Sequence, residues 1–415
     1  MKYKYILIVP VIALVCLLAL AKPFSARAST WWPVQSVDTM KYSRDMARAK
    51  LNDASFDAVI ETQVSQIADT GATHVAIGTP YDAEFVPFLR RWVDAARRHN
   101  LKVWFRGNLA GWERWFGYPA FPLAEHTPRI VQFIEGNPDL FSDGDIFTSC
   151  PECENGIFGD PRNTGRTGEY RSFLISEYQA VSQTFSEIGK KVSANYYSAN
   201  ADVARLVFDP ATATALDGIV VIDHYVESSE KLCADVSGLA QSSQAQIVLG
   251  EFGAPIPDIH GGYSPQKQAD WIDASLKCLL DIPAVAGINY WTGVGGSTAL
   301  WEGNGTPRPG AAILKKYYSP DTLSGIVHDE LGHPVSTASV YYHGRKVSSL
   351  ADGRFSLPFY SDDRALSASA AGYHDQLLSI TDNSSSAEIV LVKTKENIIF
   401  KLRKLTKRIL EFIIP

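Results

Sequence analysis

The chain has 415 residues, 46% of them apolar and 11% aromatic, and a net charge of −6. It is too long for one average domain and apolar enough to bury a sizeable core, and nothing in its composition suggests wholesale disorder. The mild acidity gives no footing for a nucleic-acid partner, and none is expected.

The first segment, residues 1–28, reads MKYK, then an apolar run from Tyr5 to Ala21, then KPFSARA with small residues at Ala26 and Ala28. This is an export signal that ends in a small-x-small cleavage pattern; at 17 apolar residues it is also close to the length of a membrane anchor. Both readings, cleaved signal and retained anchor, place the remainder outside the cytoplasm.

From Pro33 to about Val294, short strand-like runs alternate with longer stretches whose apolar residues recur at three and four. The strand candidates are PVQSVDT from Pro33, THVAIGT from Thr73, LKVWFRG from Leu101, DIFTSC from Asp145, KVSANYY from Lys191, LDGIVVID from Leu216, AQIVLGEF from Ala245 and AVAGINYW from Ala284. Eight strands alternating with helices predict an α/β fold, a (β/α)8 TIM barrel over residues 29–320. No glycine-rich phosphate fingerprint follows the first strand, which disfavours a doubly wound sheet.

After Asp321 the helical period stops and strand-turn-strand texts take over, predicting a small all-β sandwich over 321–393. Residues 394–415 form a basic amphipathic tail, with Ile398, Leu402, Leu405, Ile409 and Phe412 on one helical stripe. The terminal segments carry the basic excess and leave residues 29–392 at −15. The tail reads either as an attachment to an anionic membrane or envelope surface or as a helix packed on its own protein.

Four cysteines follow the signal, and an exported chain can oxidise them in three pairings. Cys233 and Cys278 sit in helix-like segments able to bridge. Cys150-Pro-Glu-Cys153 is a lone CxxC, and the strand ends hold no His/Asp cluster, so neither metal nor cofactor is expected.

In a parallel barrel, chemistry gathers where the strands end, because the following loops surround one pocket. Those ends offer Arg106 and Asn108, Glu152 and Glu154, Asn195 and Tyr196, Asp223, His224 and Tyr225, Glu251, then Asn289, Tyr290 and Trp291, with Trp112, Trp115 and Trp301 in nearby loops. Carboxylates on strands four and seven face each other across the mouth, the arrangement that glycosidic bond cleavage requires. Glu152 and Glu154 have the same parity, so an extended backbone turns both toward the mouth.

These texts resemble clan A glycoside hydrolases, the cellulase-like barrels, over residues 33 to 305. "DIFTSCPEC" places Glu152 at the acid/base position, and "IVLGEFG" places Glu251 at the nucleophile. "DHYV" approximates the strand-six region through His224 and Tyr225. "NYWTGVG" offers Trp291 as a sugar platform. The resemblance implies a retaining hydrolase of β-linked glycans, with Arg106, Asn108, Asn195, Tyr196, His224, Tyr225, Trp291 and Trp301 binding substrate. Pro151 stands where the family usually has asparagine. That departure leaves open whether Glu152 or Glu154 is the acid, and whether the barrel cleaves glycans or only binds them as an envelope scaffold or adhesin. The second domain resembles the carboxypeptidase regulatory-like domain through Gly325, Val327, Asp329, Gly332, Pro334, Ala338, Val340, Asp352, Gly353, Phe355, Gly372 and Tyr373. It implies an accessory sandwich without chemistry of its own.

Overall fold

The computed structural model describes residues 30–360, 365–380 and 386–394. The signal or anchor segment and the basic tail beyond Thr394 lie outside the described residues, among which no helix is long and apolar enough to cross a membrane.

Eight parallel strands form the first layer: β1 Val34–Asp38, β2 His74–Ile77, β3 Lys102–Phe105, β4 Ile146–Phe147, β5 Ser198–Asn200, β6 Ile219–Asp223, β7 Gln246–Phe252 and β8 Val285–Tyr290. They pair in the order β4-β3-β2-β1-β8-β7-β6-β5. A parallel bridge from Ile146 to Ser193, on the segment leading into β5, joins the two ends of this sheet and closes the barrel. Helices follow the strands, among them Asp57–Asp69, Val86–Arg98, Thr167–Glu187, Ser229–Ser243 and Pro265–Leu280. Side chains of opposite parity go to two places. Val34, Ala76, Trp104, Ile146, Tyr196, Val221 and Val248 fill the barrel interior. The alternate residues, such as Val75, Val103 and Ile247, meet the helix layer. Cys233 is disulfide-bonded to Cys278, tying the last two named helices together.

Helix Pro309–Tyr318 brings the chain back under β1, where the Tyr318 hydroxyl donates to Ser36 O at 2.8 Å. Seven further strands run from β9 (Asp321–Asp329) through β10 Ser339–Tyr342, β11 Arg345–Ser348, β12 Arg354–Phe359, β13 Ala365–Ser369 and β14 Gln376–Ser379 to β15 Ser386–Leu391. They make two sheets, β11-β10-β13-β14 and β12-β9-β15. This sandwich sits against the pole of the barrel where the strands begin. Arg345 donates to Trp31 O at 2.6 Å, and the Trp31 ring packs 5.7 Å from Tyr342 and 5.6 Å from Tyr360.

One strand departs from the sequence reading. The run Lys191–Tyr197 was expected to be the fifth strand, yet the chain continues extended to Asn200, whose side chain then caps helix Ala201–Val207 by accepting from Asp202 N. The strand end therefore lies several residues beyond the place expected for it.

Candidate active site

Arg106 is the centre of the mouth. It follows β3 with the parity of Trp104, so it points into the barrel, where it is fully buried. Its Nη1 donates to Asp38 Oδ2 at 2.8 Å and to Glu251 Oε1 at 3.1 Å; Nη2 donates to Asp223 Oδ2 at 3.0 Å and to Ser198 Oγ at 3.3 Å. Asn289 Nδ2 donates to Asp38 at 3.2 Å. Burial alone would disfavour the charged guanidinium, but Asp223, Glu251 and Asp38 together hold it ionised. One cation cannot neutralise three carboxylates. Burial, with further repulsion from Glu251 and Glu152, pushes Asp223 well above the ordinary carboxylate range against the pull of Arg106.

Glu251 reaches this centre through a backbone irregularity. Val248 faces the interior, so plain alternation would turn Glu251 outward. The register between β6 and β7 instead jumps from Ile222↔Leu249 to Asp223↔Glu251, leaving Gly250 as an extra residue. Such a bulge re-aims the next side chain. Glycine is needed there, because a Cβ on residue 250 would lie 2.4 Å from Asp223 Oδ1. The Glu251 carboxyl, 12% exposed, accepts from Arg106 on one oxygen and from the Tyr225 hydroxyl at 2.8 Å on the other. Burial raises its pKa and Arg106 opposes the rise.

Glu152 stands on a constrained loop. Its backbone is left-handed at φ 43°, a conformation costly for a residue with a side chain and maintained only where the surroundings enforce it. Cys150 and Cys153 are disulfide-bonded around it, its N–H donates to Ser198 O at 2.9 Å, and the Trp112 indole donates to Cys153 O at 3.2 Å. Trp112 is buried, stacked 5.9 Å from Phe173, and leaves room beneath it only for Gly156, where a Cβ would come within 2.1 Å. Burial first, then the charges of Glu251 and Glu154, push the Glu152 carboxyl up to about 8, with Arg106 pulling the other way. The Glu152 carboxyl, half-buried and felt electrostatically by Glu251, accepts from Asn155 Nδ2 at 3.0 Å.

The two neighbouring glutamates are not equivalent. The expected extended backbone is absent: after left-handed Glu152 the chain makes a 3-10 turn over Cys153–Asn155. That turn buries Glu154 against β5, where it accepts from the Tyr170 hydroxyl at 3.0 Å and from Asn200 N at 2.8 Å. Glu154 secures the loop through these two bonds.

Arg106 and Tyr225 are therefore assembled with Glu251, and Trp291 lies beside them, its ring 6.0 Å from Tyr225 and 5.4 Å from Lys41 Nζ. Five other expected binding residues are elsewhere. His224 has the outward parity, and its Nε2 lies 2.9 Å from Asp235 on a covering helix. Asn195 donates to Leu216 O at the opposite pole. Tyr196 fills the interior 5.4 Å from the Trp104 ring, both consequences of the late end of β5. Asn108 is buried, accepting from His126 Nε2 at 2.9 Å and Leu109 N at 2.7 Å. Trp301 is 5% exposed, bridged to Val294 and Pro307 within its own loop.

Two acids were missed. Asp38 had a signal, since it shares the parity of Val34 and Ser36 at the end of β1. Glu113 had none. It lies in the loop after β3, half-buried, and burial with the Glu154 charge raises it to about 7 against the pull of Arg44.

No protein-family model matches the chain, and no curated protein matches it by sequence. Solved structures do match in shape. A GH5_18 variant from Streptomyces cattleya, solved in complex with Manb1-4GlcNAc, is similar at 13% identity and TM-score 0.53, covering 72% of this chain and 85% of its own. A GH5_18 variant from Bifidobacterium longum subsp. longum, with the same ligand, is similar at 14% identity and TM-score 0.50, covering 73% and 84%. The chain also covers 44% of the length of Bacteroides uniformis beta-glucuronidase 2, at 11% identity, TM-score 0.45 and with 80% of this chain aligned. The two GH5_18 likenesses carry the fold alone: a TIM barrel of the kind found in glycoside hydrolases.

Proposed function

We propose that the protein is an exported retaining glycoside hydrolase of β-linked glycans. The observation that carries the reading is the pairing of Glu251, held by Arg106 and Tyr225, with Glu152, protonated at neutral pH because its carboxyl is raised to about 8. A Glu251 oxygen bonds to the anomeric carbon as the bond to the leaving oxygen breaks, and that oxygen takes the Glu152 proton. Glu152, now a carboxylate, removes a proton from water as the water oxygen bonds to the anomeric carbon and Glu251 departs. Trp291 supplies a ring face for the sugar.

The test is a panel of β-aryl glycosides and β-linked disaccharides, Manβ1-4GlcNAc among them, with the first-formed anomer read by NMR. Retention is expected, and Glu251→Gln should lose on the order of 10⁴-fold in kcat with the fold intact. Inversion, or activity surviving in Glu251→Gln, would remove the assignment. Pro151 favours a second reading, a barrel that binds glycans without cleaving them; saturable binding with no turnover by the wild type would select it.

Residues 321–393 serve in this reading as an accessory sandwich, and attachment to an anionic surface through the tail accounts for its basic stripe. Chains spanning 29–415 and 29–393 should differ in sedimentation with anionic vesicles at low salt. Equal sedimentation would leave the tail a packing helix.

A further inference from the structure

Two buried ionisable groups take no part in the proposed chemistry. Glu177, on helix Thr167–Glu187, and His126, the first residue of helix His126–Gly136, are both fully buried, with His126 Nδ1 2.6 Å from Glu177 Oε2. A carboxylate taken out of water is retained only where its oxygens are satisfied. Thr127 Oγ1 donates to the same oxygen at 3.0 Å, and Ser149 Oγ donates to Oε1 at 2.5 Å. The other ring nitrogen of His126 lies 2.9 Å from Asn108 Oδ1, which also accepts from Leu109 N at 2.7 Å. Those two contacts fix the Asn108 amide, so its Nδ2 donates to Cys150 Sγ at 3.6 Å. The imidazole packs against Trp112, with 4.5 Å between ring centroids, and Trp112 donates to Cys153 O at 3.2 Å.

We propose that His126 is the positioning residue of the proton donor, acting through the loop on either side of Glu152 rather than on its carboxyl. The inference rests on the glycosidase reading of Glu152. Its support is connectivity. One arm runs from His126 through Asn108 to Cys150, and the other from the same ring through Trp112 to Cys153. Both cysteines that flank Glu152 are thus tied to one imidazole. Glu177 holds that imidazole and also Ser149, the residue before Cys150, which gives the loop a third fixed point. Glu152 needs such a frame, because its left-handed backbone, at φ 43°, persists only while the surroundings enforce it. Glu251 is held by other groups, Arg106 and Tyr225. Loosening the frame should therefore spoil proton delivery and spare nucleophilic attack.

The experiment compares wild type, His126→Gln and Asn108→Ala on two substrates with the same transferred sugar. A dinitrophenyl β-glycoside has a leaving group that departs without a proton, and a β-disaccharide has one that needs it. In each variant kcat/KM, which reports the first bond-breaking step, should fall about tenfold further on the disaccharide than on the aryl glycoside. That extra loss should vanish when the same substitution is made in Glu152→Ala, where no donor is left to misplace. Equal losses on both substrates, or an extra loss that persists in Glu152→Ala, would overturn the proposal. Thermal melts report folding, and if His126→Gln does not fold, Asn108→Ala, which cuts one arm only, decides alone. If the wild type cleaves neither substrate, the glycosidase reading fails. Positioning is then judged by NMR titration of the Glu152 carboxyl carbon, identified by its loss in Glu152→Gln. Burial holds this group at about 8 in the wild type, and it should titrate at lower pH in Asn108→Ala as the loop loosens; an unchanged midpoint overturns the proposal.

Discussion

The two poles of the barrel are built to opposite rules. Where the strands begin, polar groups are used up in packing: the Gln35 amide donates to Tyr318 O at 2.8 Å, Arg345 is spent on backbone carbonyls, and Trp31 is enclosed by Tyr342 and Tyr360. Where the strands end, carboxylates outnumber the buried cation, the Glu152 and Phe116 backbones are left-handed, and the loops are pinned by a disulfide and a guanidinium. The first pole gains stability from burial. The second gives some up to keep charges and protons where a reaction can use them.

The sharpest way to test that contrast is to remove the acid. Glu152→Ala should lose 10²- to 10⁴-fold, roughly the worth of general acid catalysis, on substrates with poor leaving groups. It should lose far less on activated aryl glycosides, with azide restoring turnover as a glycosyl azide. If Glu154→Ala shows the rescue and Glu152→Ala does not, the acid lies two residues along and the contrast drawn between the neighbours is wrong.

The opposite pole should answer in stability alone. Trp31→Ala removes a buried indole and is expected to cost about 3–5 kcal/mol in chemical denaturation while leaving kcat per folded molecule unchanged. A fall in kcat without a change in denaturation midpoint would show that the poles are coupled.

The smallest effect concerns protons. Glu152 works protonated and Glu251 ionised, so kcat/KM should fall tenfold per unit as pH rises beyond about 8, with an acid limb above the ordinary glutamate range because burial raises Glu251. The same shift bears on stability. Folded Glu152 holds its proton more tightly than the unfolded chain does, so its contribution is present at low pH and lost as pH rises from the ordinary carboxylate value to about 8. Glu152→Gln should therefore melt above the wild type at pH 9, by on the order of 2 °C, and alongside it at pH 4. Identical melting at both would mean that Glu152 is not raised.

Much of this was readable in advance, and the failures have physical causes. The alternation of apolar residues locates seven of the eight barrel strands, because each strand must feed an interior and a helix layer at once. It misplaces the end of β5, where the apolar signal stops at Tyr197 but the hydrogen bonds continue through polar Ser198–Asn200. Glu251 is visible in the text, yet its inward aim depends on the Gly250 bulge, which no periodicity reveals. Parity explains why Tyr225 meets Glu251 and adjacent His224 meets Asp235. Glu113 lies on a loop whose conformation is held by Arg48 donating to Phe116 O, a residue distant in sequence, so no local pattern marks it.

The docking of the sandwich also decides which way the barrel looks. Arg345 donates to Thr30 O at 3.2 Å as well as to Trp31, so the start of the described chain and the second domain meet at the same pole, behind the pocket. Under the proposed attachment, a tether at either place would act like the stem of a lamp, leaving the open end of the barrel facing away from the anchoring surface.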